Sequence, residues 1–335
     1  MEPERGLPPA RPEHNIAMWG PPGSGKTTFL AALHIALNRR QDGWKVVGAN
    51  GPSTDALIRL TGSLATQGHF PAATRGIERY RWYLVGAAER AKRFALRRRP
   101  PQDVRIGLDL LDPSGELFDQ EHSGYAGVHG ELVDNLVNSR GIVFLFDPVR
   151  EFEDGDAFDY LHGVLSQLAN RMLESPEFAD GMLPHHVAVC ITKFDEIRVM
   201  ETAEKLRLVT VDPDDPLGFP KVEEEDARDL FRALCGVSAT GNAELVHNTL
   251  IQYFRPERVR FFVTSAVGFY VDPRVGRFDR DDYQNLLPEA ESSKAVRVRG
   301  TIHPINVVEP LLWLGRSLAA AHRAAPAARA AGTGR

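Results

Sequence analysis

The stretch Gly20-Pro-Pro-Gly-Ser-Gly-Lys-Thr-Thr28 constrains this chain more than any other feature. It fills every fixed position of the phosphate-loop pattern G-x-x-x-x-G-K-[ST]. The apolar run Asn15–Trp19 precedes it, and apolar residues continue behind it at helical spacing. A strand, a glycine-rich turn and a helix N-terminus together direct backbone amides and the positive end of the helix dipole at one point. The sequence therefore predicts a binding site for the phosphates of a nucleoside triphosphate.

The residues of this loop have different expected roles. In such loops the lysine ammonium, here Lys26, reaches the β- and γ-phosphates, and the hydroxyl of Thr27 binds Mg²⁺. The candidate phosphate-contacting residues are Gly20, Gly23, Ser24, Gly25, Lys26, Thr27 and Thr28. A glycine-rich turn without a ligand is the alternative, and the strand and helix patterns on either side argue against it.

The rest of the chain alternates apolar strand-like runs with helical stretches, which is the pattern of a layered α/β fold. Strands are predicted at 15–19, 79–86, 104–111, 141–147, 186–192 and 258–264, and helices at about 26–39, 54–65, 156–173 and 305–321. One domain is predicted over 15–323, with insertions at about 87–102, 196–254 and 267–303. The compositions of segments 1–14 and 324–335 predict disorder.

Composition and charge narrow the functional class. Hydrophobic residues make up 43% of the chain and charged residues 25%, as in ordinary globular proteins. The net charge of −5 gives no reason to expect a nucleic-acid partner. Two cysteines cannot form a disulfide framework, the N-terminus lacks the apolar core of a signal peptide, and no apolar stretch approaches the ~20 residues of a membrane-spanning helix. These observations predict a cytoplasmic protein.

The predicted strand at 104–111 ends in the turn Asp112-Pro-Ser-Gly-Glu116. Its D-x-x-G pattern predicts that Asp112 holds Mg²⁺ through water and that the Gly115 amide contacts the γ-phosphate. Asp-Pro-Ser-Gly is also a common turn sequence, so the pattern alone leaves both interpretations open. Asp109 is the rival metal-site carboxylate, but the turn signal favours Asp112.

The strand at 186–192 ends in Thr192-Lys-Phe-Asp195, a T-K-x-D sequence. An aspartate can accept two hydrogen bonds from N1 and N2 of guanine, which adenine cannot donate. The stem of Lys193 can lie along the face of the base, and the Thr192 side chain can join this loop to the phosphate loop. The alternative is a strand end followed by a solvated lysine and aspartate. Ligands gather at the carboxyl ends of strands in open α/β sheets, which favours a binding role.

Taken in order, the phosphate loop, Asp112–Gly115, Thr192–Asp195 and the pair Ser265-Ala266 resemble four motifs of the translation-factor-related, Ras-like (TRAFAC) class of P-loop GTPases. The resemblance covers about residues 15–266. It implies a three-layer P-loop NTPase fold whose mostly parallel sheet has one antiparallel strand. It also implies GTP or GDP as ligand, Mg²⁺ as cofactor, and a backbone amide at Ser265-Ala266 on guanine O6. The turn at Asp112 and the strand end Phe146-Asp-Pro148 are similar to bacterial "double-GTPase" proteins, which implies a nucleotide switch in signalling or conflict systems.

Two functional positions of the class lie outside these four motifs. The class uses one threonine of a mobile loop as a further Mg²⁺ ligand, and Thr74 is the candidate because it shortly precedes the second strand; Thr54, Thr61 and Thr66 remain open. Where the class places a water-orienting glutamine, this chain has Glu116. A carboxylate beside the γ-phosphate experiences like-charge repulsion but can position or deprotonate water. The catalytic candidates are Glu116, Lys26 and Gly115, and slow intrinsic hydrolysis is expected.

Other functions and contacts remain as alternatives. The Gly-Pro-Pro-Gly-Ser-Gly-Lys-Thr loop also resembles that of AAA-type ATPases, but these require an acidic pair after the next core strand, where Asp112 is followed by Pro113. A nucleotide-binding scaffold with little turnover is the other alternative. The basic segment Ala87–Gln102 is interpreted as a solvated hairpin extension, with peripheral membrane contact through Arg97–Arg99 as the less favoured hypothesis. An effector protein is expected.

Overall fold

A seven-stranded sheet forms the centre of the computed structural model, which describes residues 15–21, 23–71, 77–87, 103–113, 125–178, 180–237, 244–288 and 296–332. Its strands are β1 Asn15–Trp19, β2 Lys45–Gly48, β3 Ile77–Ala87, β4 Asp103–Pro113, β5 Gly141–Phe146, β6 His186–Ile191 and β9 Val259–Val263. Across the sheet they lie in the order β2-β3-β4-β1-β5-β6-β9. Among these seven described strands, β3 runs in the direction opposite to the other six, since it pairs antiparallel with β2 and β4 while the remaining pairs are parallel. The predicted sheet with one antiparallel strand is confirmed.

Helices cover both faces of this sheet. They are α1 Lys26–Arg39, α2 Gly51–Gln67, α3 Tyr125–Val137, α4 Pro148–Glu153, α5 Ala157–Met172, α6 Ile197–Lys205, α7 Ala227–Cys235, α8 Glu244–Tyr253 and α9 Glu309–Gly332. Alternate residues of a strand face opposite sides of a sheet. Ile16 and Met18 of β1 accordingly pack with α1, α2 and α9, whereas Ala17 and Trp19 pack with α3 and α5 to α8. The result is the predicted three-layer α/β P-loop fold.

The predicted insertions contain structure of their own. Two short antiparallel ribbons pair β7 Val209–Val211 with β8 Pro220–Val222, and β10 Leu286–Pro288 with β11 Val296–Val298. The sequence pattern predicted neither ribbon nor the edge strand β2, because segments of three or four residues carry too little periodicity. Of the predicted insertion 87–102, residues 88–102 lie outside the described residues.

The last helix continues further than the sequence pattern indicated. α9 runs from Glu309 to Gly332, through most of the tail for which composition predicted disorder. Alanine has the highest helix propensity of the amino acids, and this tail is rich in alanine. In the part of the chain that the structure describes, no helix combines the length and apolar character needed to cross a bilayer.

Candidate nucleotide-binding site

The phosphate loop lies between β1 and α1, as the sequence predicted. Gly23 and Gly25 have φ angles of 75° and 88°, in the left-handed region that glycine enters without a steric penalty. At Gly20 the constraint is space, because a Cβ there would lie 2.8 Å from the carbonyl oxygen of Leu145. These three glycines therefore determine the course of the loop.

The loop lysine faces the backbone of its own loop. Lys26 is 7% exposed, and its Nζ donates to the carbonyl oxygens of Gly20 at 3.0 Å and Pro21 at 3.1 Å. The Gly20 carbonyl also accepts a hydrogen bond from Tyr160 Oη on α5, at 2.9 Å. Helix α5 thus fixes the first turn of the loop from the opposite layer. Nothing in the sequence near the loop indicated Tyr160.

The loop that follows β6 is joined to the end of β5. Thr192 donates to the carbonyl oxygen of Phe146 from both its backbone amide, at 2.9 Å, and its Oγ1, at 3.0 Å. The Thr192 hydroxyl therefore bonds β5 and not the phosphate loop, contrary to the expectation from sequence. Lys193 has a φ of 59° and its Nζ lies 2.6 Å from Asp147 Oδ2. Asp147 was not among the predicted site residues.

Asp195 is a buried carboxylate with a defined donor. It is 7% exposed, and Ser265 Oγ donates to its Oδ1 at 2.5 Å. The same Ser265 oxygen accepts a hydrogen bond from the Gly268 amide at 2.8 Å, which fixes the direction of its proton toward Asp195. Burial raises the pKa of the Asp195 carboxyl above its ordinary value, and the hydrogen bond from Ser265 opposes that shift. Ser265 thus orients Asp195 with its side chain.

One cavity of about 350 Å³ connects the phosphate loop with these residues. Eight of the predicted nucleotide-binding residues line it: Gly23, Ser24, Gly25, Thr28, Thr192, Lys193, Asp195 and Ala266. Among the predicted residues that the structure describes, Gly20, Lys26, Thr27 and Ser265 lie outside this lining. The volume falls in the range of about 300–1,000 Å³ that small-molecule sites occupy.

Apolar side chains that sequence reasoning missed complete the wall. They are Phe70, Val149, Val267, Leu286 and Val296, of which the last two belong to the β10–β11 ribbon. Fully buried Asn285, which directly precedes β10, joins the ribbon to the segment after β9, since its Nδ2 donates to the Val267 carbonyl oxygen at 3.2 Å. The Val298 amide donates to the Gly68 carbonyl oxygen at 2.7 Å. The predicted insertion 267–303 therefore contributes to the cavity.

The candidate metal ligands are described in part. Thr27 is the second residue of α1, and β4 runs parallel to β1 with Leu110 opposite Met18, so the backbone of Asp112 ends beside the start of the phosphate loop. The rival Asp109 lies 3.4 Å from Arg81 and 3.9 Å from Arg79 in ion pairs. Thr74, Gly115 and Glu116 lie outside the described residues.

A magnesium ion at this loop would have to be held jointly with phosphates. Within the described ranges, no group of three or more His, Cys, Asp or Glu side chains could hold a metal ion by itself. Mg²⁺ is ordinarily bound through one or two protein ligands plus substrate phosphates. Thr27, at the start of α1, carries an oxygen ligand of the type such an arrangement needs, and the side chain of Asp112 lies outside the described part of the structure.

The rival threonines for the metal site all lie in α2. Thr54 Oγ1 donates to the Asn50 carbonyl oxygen at 2.9 Å, and Thr61 Oγ1 lies 3.2 Å from His34 Nδ1. Thr66 is exposed on the last turn of the same helix. The class uses a threonine of a mobile loop for this ligand, whereas these three threonines are held in a helix. Thr74 therefore stays the prediction.

Comparisons with known proteins give weak likenesses. No protein-family model matches the chain, and no curated protein matches it. A solved structure of the signal recognition particle receptor SRb-GTP/SRX complex from Chaetomium thermophilum is similar, with a TM-score of 0.35, 15% identity, and coverage of 77% of this chain and 92% of that chain. A structure of sup35 complexed with GDP has a TM-score of 0.28 and 12% identity, and the match covers 78% of this chain and 40% of that chain. The inference about function therefore depends on the geometry of the site.

Proposed function

We propose that this protein binds guanine nucleotides with Mg²⁺ and acts as a slow GTPase whose conformation depends on the bound nucleotide. The observation that supports this most is the single cavity lined by both the phosphate loop and Asp195. The phosphate loop supplies backbone amides to this cavity, and Asp195 supplies a carboxylate. A nucleoside di- or triphosphate has matching chemistry at its two ends.

The base-reading end favours guanine over adenine. The N1 and N2 groups of guanine both donate hydrogen bonds to a carboxylate, whereas adenine presents an acceptor at N1. Asp195 is buried, and its Oδ1 already has Ser265 as donor, so its carboxylate would face adenine with lone pairs unmatched. Leaving buried polar groups unpaired is the strongest means of rejecting a close analogue, worth about 10⁴-fold in selectivity in sites of this kind.

At the phosphate end, Lys26 would exchange partners when the nucleotide binds. Its ammonium now bonds the carbonyls of Gly20 and Pro21. Phosphate oxygens would replace these carbonyls, and the Gly20 carbonyl would keep its hydrogen bond from Tyr160. The Thr27 hydroxyl and Asp112, with Thr74, would hold Mg²⁺, which neutralises charge that develops on the phosphates.

Hydrolysis and switching would involve the segments near the γ-phosphate. The Gly115 amide would contact that phosphate, and Glu116 would position or deprotonate the attacking water. Loss of the γ-phosphate would release the loops around Thr74 and Glu116, so that a partner protein distinguishes the two states. Because the chain resembles TRAFAC and double-GTPase proteins, we propose that this switch acts in bacterial signalling or conflict systems of the cytoplasm.

Competition binding tests the proposal directly. GTP and GDP should displace a labelled guanine nucleotide from the purified protein, and ATP should not. The variant Asp195→Asn should lose GDP affinity and gain affinity for xanthosine diphosphate, whose C2 carbonyl accepts where guanine donates. Asp229→Asn, an exposed aspartate on α7, is the matched control. Equal displacement by ATP, or an unchanged preference in Asp195→Asn, would refute the guanine assignment.

A further inference from the structure

Asp147, at the carboxyl end of β5, is a buried carboxylate that the proposed function has not used. Its side chain is 2% exposed. Oδ1 accepts hydrogen bonds from the backbone amides of Val149 at 3.0 Å and Arg150 at 3.3 Å, which makes Asp147 the N-cap of α4. Oδ2 accepts from Lys193 Nζ at 2.6 Å. One carboxylate therefore caps a helix and holds a lysine that lines the nucleotide cavity.

The lysine it holds has a constrained backbone. Lys193 has a φ of 59°, in the left-handed region that is uncommon for a residue with a side chain and persists where the surroundings hold it. The preceding Thr192 is joined to Phe146 by two hydrogen bonds. Consecutive residues of the base-reading loop are thus attached to consecutive residues of the β5 end, through Thr192 to Phe146 and through Lys193 to Asp147.

The ion pair also fits the charges around it. A buried carboxylate requires a cation or several donors, because leaving it unpaired costs the full desolvation penalty. The nearby Arg150 directs its guanidinium to Asp156 at 2.5 Å and Asp154 at 3.8 Å. Lys193 Nζ forms an ion pair with Asp147 at 2.6 Å, and the charge of Asp147 also acts on Arg150. The lysine is still 40% exposed, so its stem remains open to the cavity.

We propose that Asp147 is a positioning residue for the purine base, acting through Lys193; the inference rests on the proposed function. By holding the ammonium, Asp147 keeps the lysine stem extended along the cavity wall next to Asp195 before a nucleotide arrives. The stem's rotational freedom is then lost on folding and not on binding, which raises affinity for the base. The effect belongs to the nucleoside, so it is the same for GTP, GDP and guanosine.

Two substitutions separate the lysine contact from the helix cap. Asparagine and serine are N-caps as good as aspartate, but neither attracts the ammonium as a carboxylate does. We expect Asp147→Asn and Asp147→Ser to raise the GDP dissociation constant about tenfold, which corresponds to about 1.4 kcal/mol. The ratio of GTP to GDP affinity should stay as in the wild type. Asn50→Ala, which removes the N-cap of α2 outside the cavity lining, is the control for loss of a cap.

A double-mutant cycle with Lys193→Met decides between positioning and simple stabilisation. If Asp147 acts through the lysine, Asp147→Asn changes GDP affinity in the wild type but not in the Lys193→Met background. Thermal unfolding of each variant, measured alongside, confirms that the proteins compared are folded. An equal effect of Asp147→Asn in both backgrounds would overturn the inference, as would wild-type GDP affinity in both folded Asp147 variants. Failure of the wild type to bind GDP would instead refute the proposed function, and the inference with it.

Discussion

Replacing Ser265 by alanine should weaken guanine nucleotide binding without disturbing the phosphate end of the site. The Ser265 hydroxyl donates to Asp195 Oδ1 at 2.5 Å, and both residues are buried. A hydrogen bond to a charged group contributes about 1.5–3 kcal/mol, which corresponds to roughly a tenfold to hundredfold change in affinity. Without it, Asp195 loses both its orientation and part of the stabilisation of its ionised form.

The pH dependence of this variant follows from the direction of the pKa shift. Burial already raises the pKa of Asp195, and the Ser265 hydrogen bond opposes that increase, so Ser265→Ala should raise the pKa further. A protonated carboxyl donates where guanine needs an acceptor. GDP affinity should therefore fall as pH decreases through the pKa of Asp195, and in Ser265→Ala this loss should begin at a higher pH than in the wild type.

Calorimetric titration with GDP from neutral into acidic pH measures both effects. Ser139→Ala is a suitable control, because Ser139 Oγ is also buried and donates to the Asn135 carbonyl oxygen at 2.9 Å, just before the amino-terminal end of β5. That variant should lose stability but keep its affinity for GDP. Wild-type GDP affinity with an unchanged pH profile in Ser265→Ala would refute a base contact of Asp195 that depends on Ser265.

Two further predictions concern the cavity wall and acid stability. Leu286→Ala should raise the GDP dissociation rate roughly tenfold, since it removes about 1–2 kcal/mol of apolar contact. Val275 is exposed in the same insertion, and Val275→Ala should leave the rate unchanged. An unchanged dissociation rate of Leu286→Ala in stopped flow would refute contact between Leu286 and the nucleotide. His185 is fully buried, Nε2 lies 3.0 Å from the Leu136 carbonyl oxygen, and burial lowers its pKa from 6.5 to about 4. The unfolding free energy should thus decline as pH falls from 6.5 toward 4, by about 3 kcal/mol in all, and denaturant titrations of His185→Gln should show a shallower decline.

The sequence predicted those parts of the site that depend on local pattern. The phosphate loop and the Thr192–Asp195 loop each follow an apolar strand directly, and the carboxyl ends of parallel strands meet at one edge of the sheet. Because both loops begin at such strand ends, the sequence predicted that the phosphate loop and Asp195 lie on the same side of the sheet. The catalytic role of Glu116 and the metal role of Thr74 stay predictions.

The parts that sequence reasoning missed depend on contacts between distant segments. In the sequence, Asp147 is an aspartate at a strand end that is followed by a proline. Its 2.6 Å contact with Lys193, which connects it to the site, is visible only in the structure. Tyr160 lies in the first turn of α5, and only the packing of that helix brings its hydroxyl to the Gly20 carbonyl. Neither residue type nor spacing distinguishes such contacts from ordinary surface or core positions.

The attachment of the β10–β11 ribbon has a consequence for choosing a minimal fragment of this protein. From the sequence, residues 267–303 look like an addition that could be cut out between the last strand and the last helix. In the structure Leu286 and Val296 line the cavity, and the Val298 amide bonds the Gly68 carbonyl shortly before the segment that contains Thr74. A shortened protein without the ribbon would keep every recognisable motif and still lack one side of its cavity.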